Sequence, residues 1–371
     1  MDVEDILMVL ADKSYQLLAC HYIDSQLKKL SQEIIGAREA SDVECVHQSR
    51  VASRRLRAAF GVFEICFPAK VIKKWRDEIK ELTKAFGPAR DADVHIEFLN
   101  KTLSGLGSDE KTFQPGIKRL LLRTKQHREK LQDKIIKTIN RLESRAILAD
   151  IHSVVERIIF CMSGEEPDLK NEYVFSQTSG HIRNRLIDMI SCQNCLENKD
   201  DKTGHHQMRI AAKRLRYTME ICREPYGERL DNAIKVVKNI QTILGDIHDC
   251  DVWVDYIDHF MQEELRRTKE YFGNEKPYYL LYKGFGYLQQ ERQQTRQCLF
   301  EIFVRYWKRL NRHKFWETLE LNLQSSQAEY EKPGFKIVEI RKGNSSERAI
   351  EKNIVNRGYS RKSSGIEGSS Q

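Results

Sequence analysis

Residues 47–57 read His-Gln-Ser-Arg-Val-Ala-Ser-Arg-Arg-Leu-Arg, and residues 206–216 read His-Gln-Met-Arg-Ile-Ala-Ala-Lys-Arg-Leu-Arg. Seven of the eleven positions are identical, and Val51 with Ile210 and Arg54 with Lys213 are conservative. A second shared stretch follows each copy. Residues 86–94 are Phe-Gly-Pro-Ala-Arg-Asp-Ala-Asp-Val, and residues 244–252 are Leu-Gly-Asp-Ile-His-Asp-Cys-Asp-Val. Two motifs in one order at nearly one separation imply an internal duplication, with each half a helical bundle.

Helical periodicity runs from about residue 3 to residue 323, and strand-like alternation is nearly absent. The fold class expected is therefore all-α, with two four-helix bundles. Pro68, Gly87-Pro88, the Ser104–Asp109 run, Pro115-Gly116, the polar stretch from Asn198 to Gly204, Pro225-Tyr226-Gly227 and Gly273–Pro277 punctuate the helices. The domain reading is a first helical half over 1–163, a linker over 164–171, a second half over 172–323 and a polar, mostly disordered tail over 324–371. Within that tail, Phe335–Ile340 reads as a short strand or an interaction segment.

Composition sets outer bounds. At 371 residues with 40% apolar side chains, the chain can bury two cores. Its net charge of +8 is modest and does not by itself demand an anionic partner. The nine cysteines follow no framework spacing, and Cys66, Cys222 and Cys298 fall in apolar helical patterns, so reduced core thiols in a cytoplasmic protein are expected. The start Met1-Asp2-Val3-Glu4-Asp5 lacks a basic region followed by an apolar run, so no secretory signal is expected. No stretch is long and apolar enough to cross a bilayer, so no membrane partner is expected.

On a helix, positions i, i+3, i+7 and i+10 fall within an arc of roughly 80°. His47, Arg50, Arg54 and Arg57 occupy that arc in the first copy, and His206, Arg209, Lys213 and Arg216 in the second. The opposite face carries Ala52, Leu56, Ala59, Phe60 and Phe63, matched by Ala211, Leu215, Met219 and Cys222. A row of cations is usually a solvated helix face. Here no acidic residue interrupts the row, like charges at this spacing repel, and the row occurs twice. A multivalent anion would neutralise it. The Arg fork suits phosphate oxygens, and a nearby His can gain charge as pH falls. Lys80 and Lys84, with Lys73, form a second basic row, and Lys238 aligns with Lys80.

The pattern His-x-x-Arg-Val/Ile-x-x-Arg/Lys-Arg-Leu-Arg, followed some thirty residues later by Gly-x-x-Arg/His-Asp-x-Asp-Val, resembles the signature of the CHAD family, the conserved-histidine α-helical domain. The similarity covers roughly residues 10–323. The resemblance implies two four-helix bundles related by a pseudo-two-fold, with basic residues lining a central cleft or pore that binds inorganic polyphosphate without catalysis. By position it implies binding roles for His47, Arg50, Arg54, Arg57, His206, Arg209, Lys213 and Arg216, with Lys80, Lys84 and Lys238 beside them. Arg55, Arg90, Asp91, Arg214 and Asp249 would support them. Arg55 and Arg214 sit about 80° off the ladder, where they can meet carboxylates. Targeting to polyphosphate granules is a further implication. The chain departs from the pattern at His248, which stands where Arg90 stands in the first copy, and at Lys213 in place of Arg.

The pairs Asp91/Asp93 and Asp249/Asp251 admit a divalent-metal reading. The structural reading is preferred, with the carboxylates near a helix start capping amides or orienting a guanidinium. Cys192-x-x-Cys195 with His205 and His206 is a weak zinc pattern beside the alternative of a helical thiol pair. No metal and no cofactor is expected. A metal-dependent phosphohydrolase is the enzymatic rival, on His206 and His248-Asp249. The first copy has Arg90-Asp91 there, and arginine is no metal ligand. A nucleic-acid binder is the other rival, but no reader motif and no aromatic platform interleaves the basic residues.

Overall fold

The computed structural model describes residues 11–40, 42–164 and 167–324, and every regular element among them is helical. Ten helices of ten residues or more carry the fold. They are α1 Lys13–Glu39, α2 Val43–Val62, α3 Ala69–Gly105, α4 Gln114–Ser144, α5 Ile147–Met162, α6 Glu172–Ile190, α7 Lys202–Ile221, α8 Asp231–Phe272, α9 Lys276–Arg312 and α10 Phe315–Gln324. The expected tail lies outside the described residues beyond Gln324, as does the Phe335–Ile340 segment.

Local chemistry sets the ends. Asp12 caps α1 by accepting from the Ser14 and Tyr15 amides, and Asp42 caps α2 through the Glu44 amide. Asn171 and Asp201 do the same for α6 and α7, through the Val174 and Gly204 amides. Pro115 and Pro277 stand in the first turns of α4 and α9, where a missing N–H costs nothing. Gly273 ends α8 at φ 68°, a conformation that favours glycine.

Three punctuation readings are corrected. Gly87-Pro88 does not break a helix: α3 runs through it, with Pro88 inside. Buried Ala85, Phe86, Ala89 and Ala92 on either side hold the helix across the lost hydrogen bond. Lys202, Thr203 and Gly204, read as loop, already belong to α7 because the Asp201 cap starts the helix there. The Pro225 turn is a short helical turn, Arg223–Tyr226, followed by a tighter one.

Helices α1, α2 and α3 pack in series, with α4 against α3 and α5 against α1. Helices α6 to α9 repeat the series, with α10 against α6 and α9. In the first set Phe60, Phe63, Trp75 and Phe86 are fully buried. The Tyr15 hydroxyl donates to the Val62 carbonyl at 3.1 Å, and the Trp75 indole to Asp150 at 3.0 Å. All nine cysteines are free thiols, and Cys20, Cys66, Cys195, Cys222 and Cys250 are buried.

The two series meet with α2 against α7, α1 against α6, and α4 against α9. The last is a close crossing. A Cβ on Gly116 would sit inside the surface of the Leu281 carbonyl and 3.1 Å from the Gly284 Cα. A Cβ on Gly284 would meet the Phe113 carbonyl and lie 3.0 Å from the Gly116 Cα. Gly284 follows Gly116 by 168 residues, and Leu281 follows Phe113 by the same 168. The contact is therefore reciprocal. Around it Leu99, Ile117, Leu120, Trp253, Ile257, Phe260, Phe285 and Leu288, from α3, α4, α8 and α9, form one buried cluster. Within it His95 packs on Trp253 with ring centroids 4.3 Å apart, and these two are also equivalent in the repeat.

Neither clashing oxygen is on a flexible side chain, so alanine at the crossing forces the helices apart. Gly116→Ala and Gly284→Ala are each expected to lose about 1–3 kcal/mol of stability, as overpacked core sites do. Urea unfolding followed by circular dichroism measures this; an unchanged midpoint would show that the crossing yields freely.

Candidate anion-binding site

Each ladder helix is positioned by its apolar stripe. Ala52, Leu56, Ala59 and Phe60 of α2 are buried where it packs on α1 and α3, and Ala211, Leu215 and Met219 of α7 where it packs on α6 and α8. The cationic faces are then left at the junction where α2 meets α7. His47, Arg50, Arg54, Arg57, His206, Arg209, Lys213 and Arg216 are all half-buried there, which a solvated helix face would not be.

The two rows act on each other. The Lys213 ammonium is pushed down to about 8, first by burial and then by Arg54, Arg209, Arg214 and Arg50. Two of those four arginines come from the other helix. Burial also lowers the guanidinium of Arg209, against Asp249, and that of Arg50, against Asp91. Burial and Arg54 lower Arg57. The Nε–H groups of Arg50 and Arg57 are buried and meet no acceptor among the described residues.

Beyond Asp91 and Asp249, relief comes from two residues the sequence reading missed. Tyr217 is buried, with the Arg54 guanidinium 5.7 Å and the Arg216 guanidinium 4.9 Å from its ring centroid. Glu220 accepts from Arg55 across the junction at 3.0 Å and lies 3.4 Å from Arg216 Nε. Glu220 stands four residues after Arg216, a spacing that announces an ion pair. Its reach to Arg55 on the other helix had no sequence signal. Arg55 thus meets a carboxylate, whereas Arg214 is exposed.

The histidines behave differently from the expectation of a gain in charge at mildly acid pH. His206 Nδ1 lies 3.2 Å from His248 Nδ1. Burial, then Arg209 and His206, push His248 down to about 4. Burial, Arg209 and Lys213 also hold His206 below its ordinary range. Both are neutral near pH 7 in the free protein. His47 occupies the equivalent first turn of α2 and is half-buried.

The paired aspartates divide their tasks. Asp91, exposed, lies 3.6 Å from Arg50, and Asp249, also exposed, supports Arg209. Asp93 and Asp251 are buried and point to the next helix. Arg128 Nε of α4 donates to Asp93 at 2.7 Å, and Arg296 Nε of α9 to Asp251 at 2.7 Å. The capping alternative is corrected: all four stand inside α3 and α8, not at a helix start. Arg90, buried, acts on both Arg50 and Asp93. Lys80, Lys84 and Lys238 are exposed, and Lys84 is held by Glu81 at 2.7 Å, so they stand apart from the half-buried rows.

The zinc pattern is dispersed. His205 is buried with Nε2 at 3.0 Å from the Cys195 carbonyl oxygen, and His206 turns to His248 instead. Among the described residues no three His, Cys, Asp or Glu side chains are grouped to hold a metal. No described helix is long and apolar enough to cross a membrane.

The CHAD domain family model matches residues 21–258. The chain belongs to the CHAD domain family. Two uncharacterized proteins of Mycobacterium tuberculosis, MT2285 of strain CDC 1551 / Oshkosh and Rv2226 of strain H37Rv, are each 25% identical over 227 residues, which is 57% of this chain. The match takes in 40% of the length of these curated relatives. The crystal structure of the CHAD domain from the plant Ricinus communis matches with a TM-score of 0.56 at 19% identity, covering 81% of this chain and 94% of that one. PptA from Streptomyces chartreusis matches with a TM-score of 0.50 at 16% identity, covering 79% and 99%. These chains share the all-helical fold.

Arg128 donates to a carboxylate, Asp93, that burial already raises above its ordinary value. Arg128→Leu removes that hydrogen-bonded guanidinium and is expected to lose ~3–5 kcal/mol, the usual result of breaking a buried pair from one side. Chemical denaturation checks this, and adding Asp93→Asn should restore part of the loss.

Proposed function

We propose that the chain binds inorganic polyphosphate, without catalysis, in a basic cleft or pore between two pseudo-symmetric helical bundles. The observation that carries this reading is the half-buried meeting of the two cationic rows, where burial first, and then Arg54, Arg209, Arg214 and Arg50, depress the Lys213 ammonium. Half-buried like charges at such range repel by on the order of a few kcal/mol per pair. A linear polyanion along the junction turns that repulsion into attraction, and each phosphate contact releases counterions. His47, Arg57, His206 and Arg216 extend the row at its ends. Arg55, Arg90, Arg214, Asp91 and Asp249 hold it in place, and Lys80, Lys84 and Lys238 offer outer contacts. Residues 1–163 and 172–323 form the two halves, joined by 164–171. The reciprocal contacts of Gly116 with Gly284 and of His95 with Trp253 support the pseudo-two-fold. The proposed setting is the cytoplasm, at polyphosphate granules.

Long-chain polyphosphate is expected to bind with an affinity that falls steeply with salt. RNA and DNA at matched phosphate concentration should bind more weakly, because Tyr217 at the junction is buried under two guanidiniums and offers no stacking face. Replacing Arg50, Arg54, Arg209 and Lys213 together by Glu should abolish binding while helical content is kept. Polyphosphate incubated with magnesium or manganese should release no phosphate. RNA binding as tight as polyphosphate, or turnover lost with His248→Ala, would sink the reading.

Affinity should also depend on pH above neutrality. Lys213 titrates at about 8 in the free chain, and a bound polyanion raises it. The ion-pair contribution is therefore complete below the free value and fades as pH rises through and beyond it, by at most about tenfold per pH unit. Lys213→Arg, which stays charged, should flatten the profile between pH 7 and 10. The check is a titration of binding constants for both chains.

A further inference from the structure

A second concentration of arginine lies away from the α2–α7 junction. An open cavity of about 470 Å³ between α4 and α8 has Arg119 and Arg123 of α4 and Glu264, Arg267, Glu270, Tyr271 and Phe272 of α8 in its lining, and Glu270 is held by Arg266 at 2.6 Å. Glu264 is only 3% exposed. It takes the Nε groups of both arginines, Arg119 at 3.2 Å and Arg123 at 3.4 Å. One carboxylate therefore orients two guanidiniums through their inner nitrogens. Gln126 meets one outer nitrogen of Arg123 at 3.2 Å, and the remaining fork donors are left for another acceptor. Arg267 adds a third guanidinium, with Glu263 at 3.4 Å.

The rings distinguish this cavity from the ladders. Tyr271 is 83% and Phe272 52% exposed, with centroids 4.8 Å apart at 78°. Neither ring is packed into the core, and both line the cavity that the arginines line. A planar fork beside an exposed ring is the chemistry of a ligand with an anionic end and a flat aromatic end. The cavity volume lies in the range of small-molecule sites.

We propose that this cavity binds a nucleotide, with its phosphates on Arg119, Arg123 and Arg267 and its base against Tyr271 and Phe272. The inference does not depend on the ladders binding polyphosphate. An acidic peptide would use the same guanidiniums, but it has less use for two exposed rings beside them.

The test is calorimetry with ADP and, as a probe without a base, pyrophosphate. It uses the full chain carrying Arg50→Glu, Arg54→Glu, Arg209→Glu and Lys213→Glu, the changes expected to silence the ladders. Where those changes disturb helical content, the unmodified chain takes its place, and the cavity's share is the ADP binding lost with Arg119→Gln and Arg123→Gln. One ADP is expected per chain. Tyr271→Ala, at an exposed position, should weaken ADP at least tenfold and leave pyrophosphate unchanged. Arg119→Gln with Arg123→Gln should weaken both at least tenfold. The proposal is overturned if ADP fails to bind saturably or if Tyr271→Ala leaves ADP unchanged, which would make it a phosphate site only. Displacement of ADP by a poly-glutamate peptide at lower concentration than by ATP would overturn it in favour of a protein partner.

Discussion

The structure turns on a contact that two isolated helices would avoid. Helices α2 and α7 meet through faces of the same sign, and Lys213 registers the meeting in its depressed ammonium. The apolar stripes force this outcome. Each stripe is buried against the helix's own neighbours, α1 and α3 or α6 and α8, so the remaining face of each helix is the cationic one. Duplication then presents that face to its own copy. The protein softens the repulsion at one end with buried groups, where Tyr217 lies under two guanidiniums and Glu220 spans the junction. Toward the other end the rim carboxylates Asp91 and Asp249 are exposed and stand beside Arg50 and Arg209.

The rest of the scaffold holds those faces at fixed separation. On each of α3 and α8, two aspartates two residues apart point to different sides. The inner one binds an arginine of the following helix, and the outer one attends the ladder. A single short motif thus ties three successive helices together in each half. That explains why an i, i+2 pair, poorly suited to chelating one ion, recurs in both copies.

Much of this was legible before any coordinates. The cationic rows and the apolar stripes opposite them follow from helical spacing, because periodicity reports faces directly. The helical class and the boundaries at Pro115, Gly273 and Pro277 were equally plain. What failed to show was everything set between distant segments. Pro88 reads as a breaker locally, but buried neighbours hold α3 together through it. Asp93 and Asp251 read as caps because their arginine partners are 35 and 45 residues away. Burial, Arg209 and Lys213 make His206 harder to charge as pH falls, and only the fold brings its ring to His248. Tyr217 and Glu220 lay on the helix already singled out, yet their roles exist only against α2.

The crossing of Gly116 and Gly284 has a meaning for how such a chain can change. Where a duplicated fold touches itself at equivalent residues, the two copies share one volume. At the His95–Trp253 contact the copies differ in size, an indole facing a smaller imidazole. At the glycine crossing no such exchange is open, because each Cα faces the opposite backbone rather than a side chain. Enlarging one partner cannot be compensated by shrinking the other, which is already minimal. The two halves are free to drift apart almost everywhere else, but at this position they must still be read as a single residue.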